Sequence, residues 1–180
     1  LGRSSYAEVP PGNALRPYVR CFWYSHPADR PAALVIPDTC MDLLFIQKGD
    51  SFSCVFCPLD DRTHASTHQS TIPFAVRFYP WSTALFADKP LMGTLNLGFD
   101  ARRHFPSLTE KLLRMVMQTS TFEQRCRMAE RILLKHIDRR SLPQDFLNAI
   151  YGILQSEGRI RTAALAQSVQ LSPRQLERLF

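Results

Sequence analysis

The side chains best suited to redox or metal chemistry are Cys54 and Cys57, which stand in a C-x-x-C spacing. Such a pair could exchange thiols or bind a metal. The surrounding segment, Phe52–Cys57, has the composition of a β-strand, and a strand directs side chains three positions apart to opposite faces. No second C-x-x-C follows. We therefore expect a chance pair, and the odd total of five cysteines favours structural thiols in a reducing compartment.

A second group with metal-binding side chains comprises His64 and His68, with Asp60 and Asp61 nearby. These residues could ligate a metal as in cupin-type enzymes. Metal cupins present ligands from adjoining barrel strands, whereas these residues fall in an expected loop and lack identifiable third and fourth partners. We predict solvated loop histidines and no metal or cofactor. The alternative function is a metal-dependent cupin-type enzyme with an unrelated helical tail.

A third group could anchor a small ligand, because a binding cavity needs apolar walls and a few polar groups. The candidates for an effector site are Trp23, Asp42, Arg77, Tyr79 and Trp81. Arg77 could bind an anionic group, and the aromatic rings could stack or pack. Each of these residues is also common in a core or on a strand surface, so both interpretations stay open.

The most specific pattern lies in the tail, from Thr162 to Phe180. Two short helices packed across a tight turn need apolar residues at fixed offsets and a small residue where the helices touch. Ala166 occupies the contact position. Gln170 stands where Gly commonly allows a positive φ, so we expect either some backbone strain or a variant turn there. The apolar offsets are occupied by Leu165, Val169, Leu171, Leu176 and Leu179. The pattern predicts a helix-turn-helix.

The start of the second tail helix is strongly specified. Ser172 can cap it, Pro173 fits the first helical position, and Gln175 completes a capping box. Leu171 and Leu176 fall at the positions of a hydrophobic staple. A fixed entry angle is valuable in a recognition helix, whose first turns enter the major groove of DNA.

The tail resembles a known family. Leu165-Ala166, followed by Ser172-Pro173-Arg174-Gln175-Leu176-Glu177-Arg178-Leu179-Phe180, is similar to the first helix-turn-helix of AraC/XylS-type regulators, with the pattern L-A, then S-x-R-x-L-x-R-x-F. Two upstream segments resemble the P-D-G-x-x-D-L and R-F-x-P segments of one sensory-domain subgroup: Ile36-Pro37-Asp38 with Asp42-Leu43-Leu44-Phe45, and Arg77-Phe78-Tyr79-Pro80. Cys40 and Trp81 stand where small residues or Gly are usual.

The resemblance implies a cytoplasmic DNA-binding transcription regulator, modulated by a small effector and acting as a homodimer on double-stranded DNA. It implies that Arg174, Glu177 and Arg178 face the major groove, where Arg can pair with guanine and Glu with cytosine. The alternative is that these side chains only solvate a helix end. The family carries a second helix-turn-helix, so for a chain ending at Phe180 we expect weak or absent specific DNA binding, with a residual affinity that is electrostatic and salt-sensitive.

The N-terminal half, which would position the candidate effector site, has the pattern of β structure. Short aromatic and branched runs alternate with turn residues, and Phe74, Val76 and Phe78 alternate with unlike neighbours as on a strand. Lys48-Gly49-Asp50 supplies a hairpin loop. The predicted strands are Val19–Ser25, Ala33–Ile36, Met41–Gln47, Phe52–Cys57 and Phe74–Tyr79. Strands without intervening helices indicate a barrel or sandwich.

The period changes to helical near residue 105. Capping-box spacings at Ser107–Glu110 and Ser120–Glu123 predict the starts of two helices. A third helix is predicted from Pro143 to Gly158. The apolar residues of the first two helices are Leu108, Leu112 and Met115, then Phe122, Cys126, Ala129, Leu133 and Ile137. These faces could cover the barrel or form the dimer contact, and both options stay open.

The net charge differs between the two halves of the chain, and the boundary is close to the one at which the hydrophobic period changes. Residues 1–99 hold eight basic and eight acidic residues, so the whole net charge of +6 lies in residues 100–180. This asymmetry suggests a polyanionic partner for one part, or a solvated basic surface. No membrane span or signal peptide is expected. We predict an α+β chain: a cupin-like β-barrel at 1–100, a helical dimerisation or linker region at 101–157, and a truncated helix-turn-helix at 158–180.

Overall fold

The computed structural model describes residues 6–26, 33–35, 38–58, 64–66, 71–91, 93, 98–137 and 142–179. The chain divides into two compact units, Leu1–Ile137 and Asp138–Phe180. The fold class is α+β, with strands followed by helices. The predicted helical region 101–157 contributes helices to both units.

The described strands of the first unit are antiparallel and form two sheets. The strands are β1 (Tyr6–Val9), β2 (Val19–Ser25), β3 (Ala33–Val35), β4 (Met41–Lys48), β5 (Ser51–Pro58), β6 (His64–Ser66), β7 (Thr71–Phe78) and β8 (Phe99–Asp100). Six of them pair in the order β1-β2-β7-β4-β5-β8, and β3 pairs with β6. The predicted strands correspond to β2, β3, β4, β5 and β7, while Ile36 lies outside the described residues. The pattern missed β1, β6 and β8, which are four residues or shorter.

The six-stranded sheet is open within the described residues. β1 and β8 are its two edges, and no ladder joins them. The expected closed barrel is therefore not what these strands form. Alternation of apolar residues predicts that a strand has two unlike faces, but closure depends on pairing between the first and last strands, which local patterns do not encode.

The central strand β7 contains Pro73, which has no N–H to donate to a neighbour. The ladder accommodates this proline with a bulge toward both neighbouring strands. Between the pairs Trp23–Ala75 and Ser25–Ile72, the chain advances by three residues on β7 but by two on β2. The same irregularity occurs toward β4. The guanidinium of Arg125, from the helical part of the first unit, donates to the Pro73 carbonyl at 3.0 Å and to the Thr119 carbonyl at 2.8 Å. Proline in a sheet is confined to edges and bulges, and here the bulge is used.

One face of the sheet forms the core with two helices, α1 (Pro106–Gln118) and α2 (Phe122–His136). α1 contacts β5, and α2 contacts β7. The apolar faces of both helices are buried within the chain, including Leu108, Leu112, Ala129 and Leu133. These faces therefore cover the sheet. The fully buried rings on the sheet belong to Phe22, Phe45, Phe56, Phe74 and Phe78.

The start of α1 corrects the predicted capping box at Ser107. The N-cap is Phe105, and Ser107 lies inside the first turn. Its N–H and hydroxyl donate to the Asp88 carboxylate at 2.9 and 2.8 Å. A carboxylate at a helix N-terminus satisfies free N–H groups and interacts favourably with the helix dipole. The cap therefore comes from a residue distant in the chain.

The start of α2 is also shifted from the prediction. Thr121, not Ser120, is the N-cap, and its side chain accepts from the Gln124 N–H at 3.2 Å. The predicted capping box between Ser120 and Glu123 is therefore wrong, because the N-cap lies one residue later. The helix ends at His136, so Ile137 lies just beyond it.

The described part of the second unit, residues 142–179, contains three helices, α3 (Gln144–Gln155), α4 (Thr162–Ser168) and α5 (Pro173–Glu177). Pro143 is the N-cap of α3 rather than a residue of its first turn. The helix ends at Gln155, three residues before the end predicted at Gly158. Ala149 packs with buried residues of α4 and α5 in one small core. The other buried members are Leu165, Ala166 and Leu176.

Candidate functional site

The turn between α4 and α5 is tight and closed by backbone hydrogen bonds. The Leu171 N–H donates to the Ala166 carbonyl at 2.9 Å, and the Gln170 N–H donates to the Gln167 carbonyl at 3.2 Å. This is the Schellman end of an α-helix, which places one residue in the left-handed region. That residue is Gln170, with φ of +58°. Of the two outcomes left open for a non-glycine residue here, the structure has the positive φ rather than a variant turn.

Replacing Gln170 by glycine is expected to stabilise the tail by about 0.5 to 1 kcal/mol, because glycine adopts a positive φ without strain. Gln170 is exposed, so little packing is lost. Amide hydrogen exchange in α4 and α5 measures the effect. The control is Gln167→Gly, an exposed position inside α4, which should destabilise by about 1 kcal/mol. Equal protection loss in both variants would contradict the prediction.

The start of α5 agrees with the sequence pattern. The Ser172 side chain accepts from the Gln175 N–H at 3.3 Å, and the Gln175 side chain accepts from the Ser172 N–H at 2.9 Å. Pro173 occupies the first helical position. These reciprocal bonds define the direction in which α5 leaves the turn.

The three residues predicted to contact DNA are exposed at this helix. Arg174 and Glu177 lie in α5, and Arg178 is its C-cap with helical backbone angles. Leu176 is buried in the tail core. At 100° per residue, positions 174 and 178 project about 160° away from position 176. The two guanidinium groups therefore stand on the solvent side of the helix. Phe180, the end of the quoted pattern, lies outside the described residues.

A polar network lies on the sheet face opposite the phenylalanine core. Arg77 donates to both carboxylate oxygens of Asp42 at 3.0 Å, and the Trp23 indole N–H donates to Asp42 at 3.2 Å. The Arg77 guanidinium carbon lies 5.6 Å from the centre of the Trp23 ring. Asp42 and Arg77 are cross-strand partners on β4 and β7. Three of the five candidate effector residues therefore form one contact network.

The charge of Arg77 is already balanced by carboxylates. Burial alone would lower the pKa of Arg77, but its hydrogen bonds to Asp42 and the charges of Asp42 and Asp38 outweigh burial and hold this pKa above its usual value. The guanidinium therefore stays protonated. Its side chain is 19% exposed; Nε and one terminal nitrogen donate to Asp42, and the other terminal nitrogen lies 3.6 Å from Asp38. An anionic ligand would have to compete with that carboxylate.

The network extends to residues that sequence reasoning did not single out as site residues. Asp38 accepts from Arg20 at 2.7 Å, and its second carboxylate oxygen accepts from the Cys40 N–H at 3.1 Å. The same carboxylate lies 3.6 Å from Arg77. The two upstream segments of the family resemblance, around Asp38–Asp42 and around Arg77, therefore meet here. Ile36 and Pro37, which open the first segment, lie outside the described residues.

Tyr79 and Trp81 form a separate group after β7. Their rings stack with centroids 4.5 Å apart and planes 7° apart. The Trp81 indole N–H donates to the Pro17 carbonyl at 2.9 Å, and the Tyr79 N–H donates to the Tyr18 carbonyl at 3.1 Å. No hydrogen bond or ring contact found among the described residues links this pair to Trp23, Asp42 or Arg77. The pair is half-buried and holds the chain segment that follows β7.

The cysteine pair lies on β5 with its two thiols on opposite faces. Cys54 is buried opposite Phe45 of the core, whereas Cys57 pairs with Asp42 on the polar face. Burial raises the pKa of Cys57 to about 11, with a contribution from Asp42, and burial also raises the pKa of Cys54. Neither thiol is activated as a nucleophile. The predicted separation of the sulfurs is confirmed.

The candidate metal residues fall largely outside the part of the chain that the structure describes. His64 begins strand β6, so its expected loop position is wrong. His68, Asp60 and Asp61 lie outside the described residues. Within the described ranges no group of three or more His, Cys, Asp or Glu side chains is arranged to hold a metal ion.

Comparison with known proteins places one family on the first unit. Residues 7–98 match the family model described as "Domain of unknown function (DUF6597)". No curated protein and no solved structure matches the chain. The matched segment includes the whole Trp23, Asp42 and Arg77 network, and it ends before α1. Every helix in the described ranges is too short or too polar to cross a lipid bilayer.

Proposed function

The chain belongs to the DUF6597 family, whose domain is known from N-terminal regions associated with AraC proteins, and we propose on this basis that it is an AraC-type DNA-binding transcription regulator. The finer architecture belongs to the same proposal. The six-stranded sheet and the β3–β6 ladder would be the two sheets of a cupin-like sensory domain. α4 and α5 would be a helix-turn-helix, with α5 as the recognition helix.

The observation that carries the proposal is the geometry of α5. A recognition helix needs a defined entry angle, an apolar side against its partner helix and donors on the other side. The capping box defines the entry, Leu176 is buried, and Arg174 and Arg178 are exposed. Arg can donate two hydrogen bonds to guanine, and Glu177 could accept from cytosine. This arrangement suits base recognition in the major groove.

The sensory part of the proposal rests on the polar network of the sheet. An effector that favours one arrangement of this face would shift the population of states in which the DNA-binding unit is presented. Because Asp42 neutralises Arg77, the site favours a neutral or aromatic effector over a simple anion. A cytoplasmic homodimer completes the proposal, with Met117 on α1, 64% exposed, as an apolar residue that the dimer contact would cover.

Arg174→Ala and Arg178→Ala are expected to reduce sequence discrimination. Duplexes selected from a random library with the unmodified chain at low salt are compared with scrambled duplexes by fluorescence anisotropy. Each substitution should lower the ratio of the two affinities about tenfold, since a bidentate base contact contributes about 1 to 3 kcal/mol of discrimination.

The matched control for this experiment is Arg159→Ala, which removes the same charge from an exposed residue of the same unit that pairs with Glu157. It should leave the affinity ratio unchanged. The proposal is wrong if Arg174→Ala, Arg178→Ala and the control change the affinity ratio alike. Stoichiometric metal in the purified protein together with absent DNA binding would favour the cupin-type enzyme instead.

A further inference from the structure

The outer side of α2 carries a stripe of three basic residues, Arg127, Arg131 and Lys135, called here the α2 stripe. They are four residues apart, so they share one face of the helix and recur about every 6 Å along it. All three are exposed. Among the described residues none of them forms an ion pair. Within the described part of the chain, the stripe is therefore a row of cations without ion-pair partners.

The division of charge between the two units makes this stripe notable. Residues 100–137 hold eight basic and four acidic residues, a net charge of +4, whereas residues 138–180 hold six and four, a net charge of +2. The larger share of the basic excess therefore belongs to the helical layer of the first unit. The proposed recognition helix does not account for it.

Neighbouring carboxylates leave the stripe largely uncompensated. Glu130 lies three residues after Arg127, a spacing at which two helix side chains can interact, but its carboxylate accepts from the Gly12 N–H. Glu123 is four residues before Arg127 and can offset only that end of the stripe. Lys135 benefits from the helix dipole in the last turn of α2. Like charges at this spacing repel, so a bound polyanion would relieve a repulsion built into the helix.

We propose that the α2 stripe binds the sugar–phosphate backbone of duplex DNA and supplies sequence-independent affinity. This inference rests on the proposed function, which makes DNA the polyanion at hand. A protein partner would call for aromatic or aliphatic anchors, and a membrane surface would call for an apolar face beside the charges. On α2, Ala129 and Leu133 are buried, and Met128, 38% exposed, is too isolated to form an apolar face. The partner must therefore recognise the positive charge of the stripe, and the backbone phosphates of DNA carry the opposite charge.

The test measures how affinity for a duplex of random sequence depends on salt, between about 50 and 200 mM. The variant Arg127→Gln/Arg131→Gln/Lys135→Gln is compared with the unmodified chain. Each lost phosphate contact should reduce the slope of log K against log salt by about 0.9, so the triple variant should lose between about 2 and 3. The control Arg16→Gln/Lys48→Gln/Lys89→Gln removes three exposed cations of the same unit and should leave the slope nearly unchanged.

The outcomes separate this inference from the proposed function. Loss of slope for both selected and scrambled duplexes, with their affinity ratio preserved, supports the α2 stripe as a backbone contact. Equal slopes for the stripe variant and its control overturn the inference, even where Arg174→Ala abolishes discrimination. Stripe-dependent binding of polyglutamate or of anionic lipid vesicles that exceeds DNA binding also overturns it. A lost slope for the stripe variant, together with an affinity ratio that Arg174→Ala, Arg178→Ala and their control change alike, leaves the stripe in place and removes the proposed function.

Discussion

Replacing Asp42 by alanine is expected to lower the free energy of unfolding by about 3 kcal/mol, because it leaves a buried guanidinium without its main partner. Asp42 accepts two bonds from Arg77 and one from the Trp23 indole. The side chains of Asp42 and Arg77 are only 15% and 19% exposed, so water cannot replace the lost carboxylate fully. Urea unfolding followed by fluorescence reports on this unit, since Trp23 and Trp81 both lie in it.

A double-mutant cycle identifies the cause of that loss. Asp42→Leu combined with Arg77→Met should cost less than the sum of the single changes, because neither charge is then left unpaired. The surface pair Arg114 and Glu110, with side chains 65% and 71% exposed, is the control. Its disruption should cost no more than about 0.5 kcal/mol. An Asp42→Ala protein as stable as the parent would show that the network does not support the sheet.

Phe74→Ala is expected to destabilise the first unit by about 3 to 5 kcal/mol, the cost of a large cavity in a core. The Phe74 ring is fully buried on the central strand. Its centroid lies 5.7 Å from that of Phe22, 5.8 Å from Phe45 and 6.3 Å from Phe122. The ring therefore joins strands β2 and β4 to helix α2, and its loss leaves space that three elements cannot all close.

The matched control for this substitution is Phe52→Ala, which removes the same ring from a partly exposed position on β5. It should cost distinctly less, because the remaining gap is open to solvent. Urea unfolding of both variants gives the comparison. If the two substitutions cost the same, the aromatic cluster around Phe74 is not the centre of the core.

Several features were predictable from sequence because their determinants are close together in the chain. The capping box of α5 involves Ser172 and Gln175, three residues apart, and the positive φ at Gln170 follows from the length of the turn. The hairpin at Gly49 and the separation of Cys54 from Cys57 follow from turn geometry and the alternation of a strand. Neighbouring residues alone decide such features.

Other features were decided only by the tertiary structure, because they depend on partners distant in the chain. Ser107 fits the spacing of a capping box. In the structure, however, Asp88, nineteen residues earlier in the chain, accepts from the N–H and hydroxyl of Ser107 at this helix end. Arg77 could have bound an anion, but strand pairing places Asp42 opposite it. The basic half of the chain proved to divide between two units. Local periodicity specifies which side of an element is buried, whereas the pairing of strands and the packing of helices determine which charges meet and which stay free.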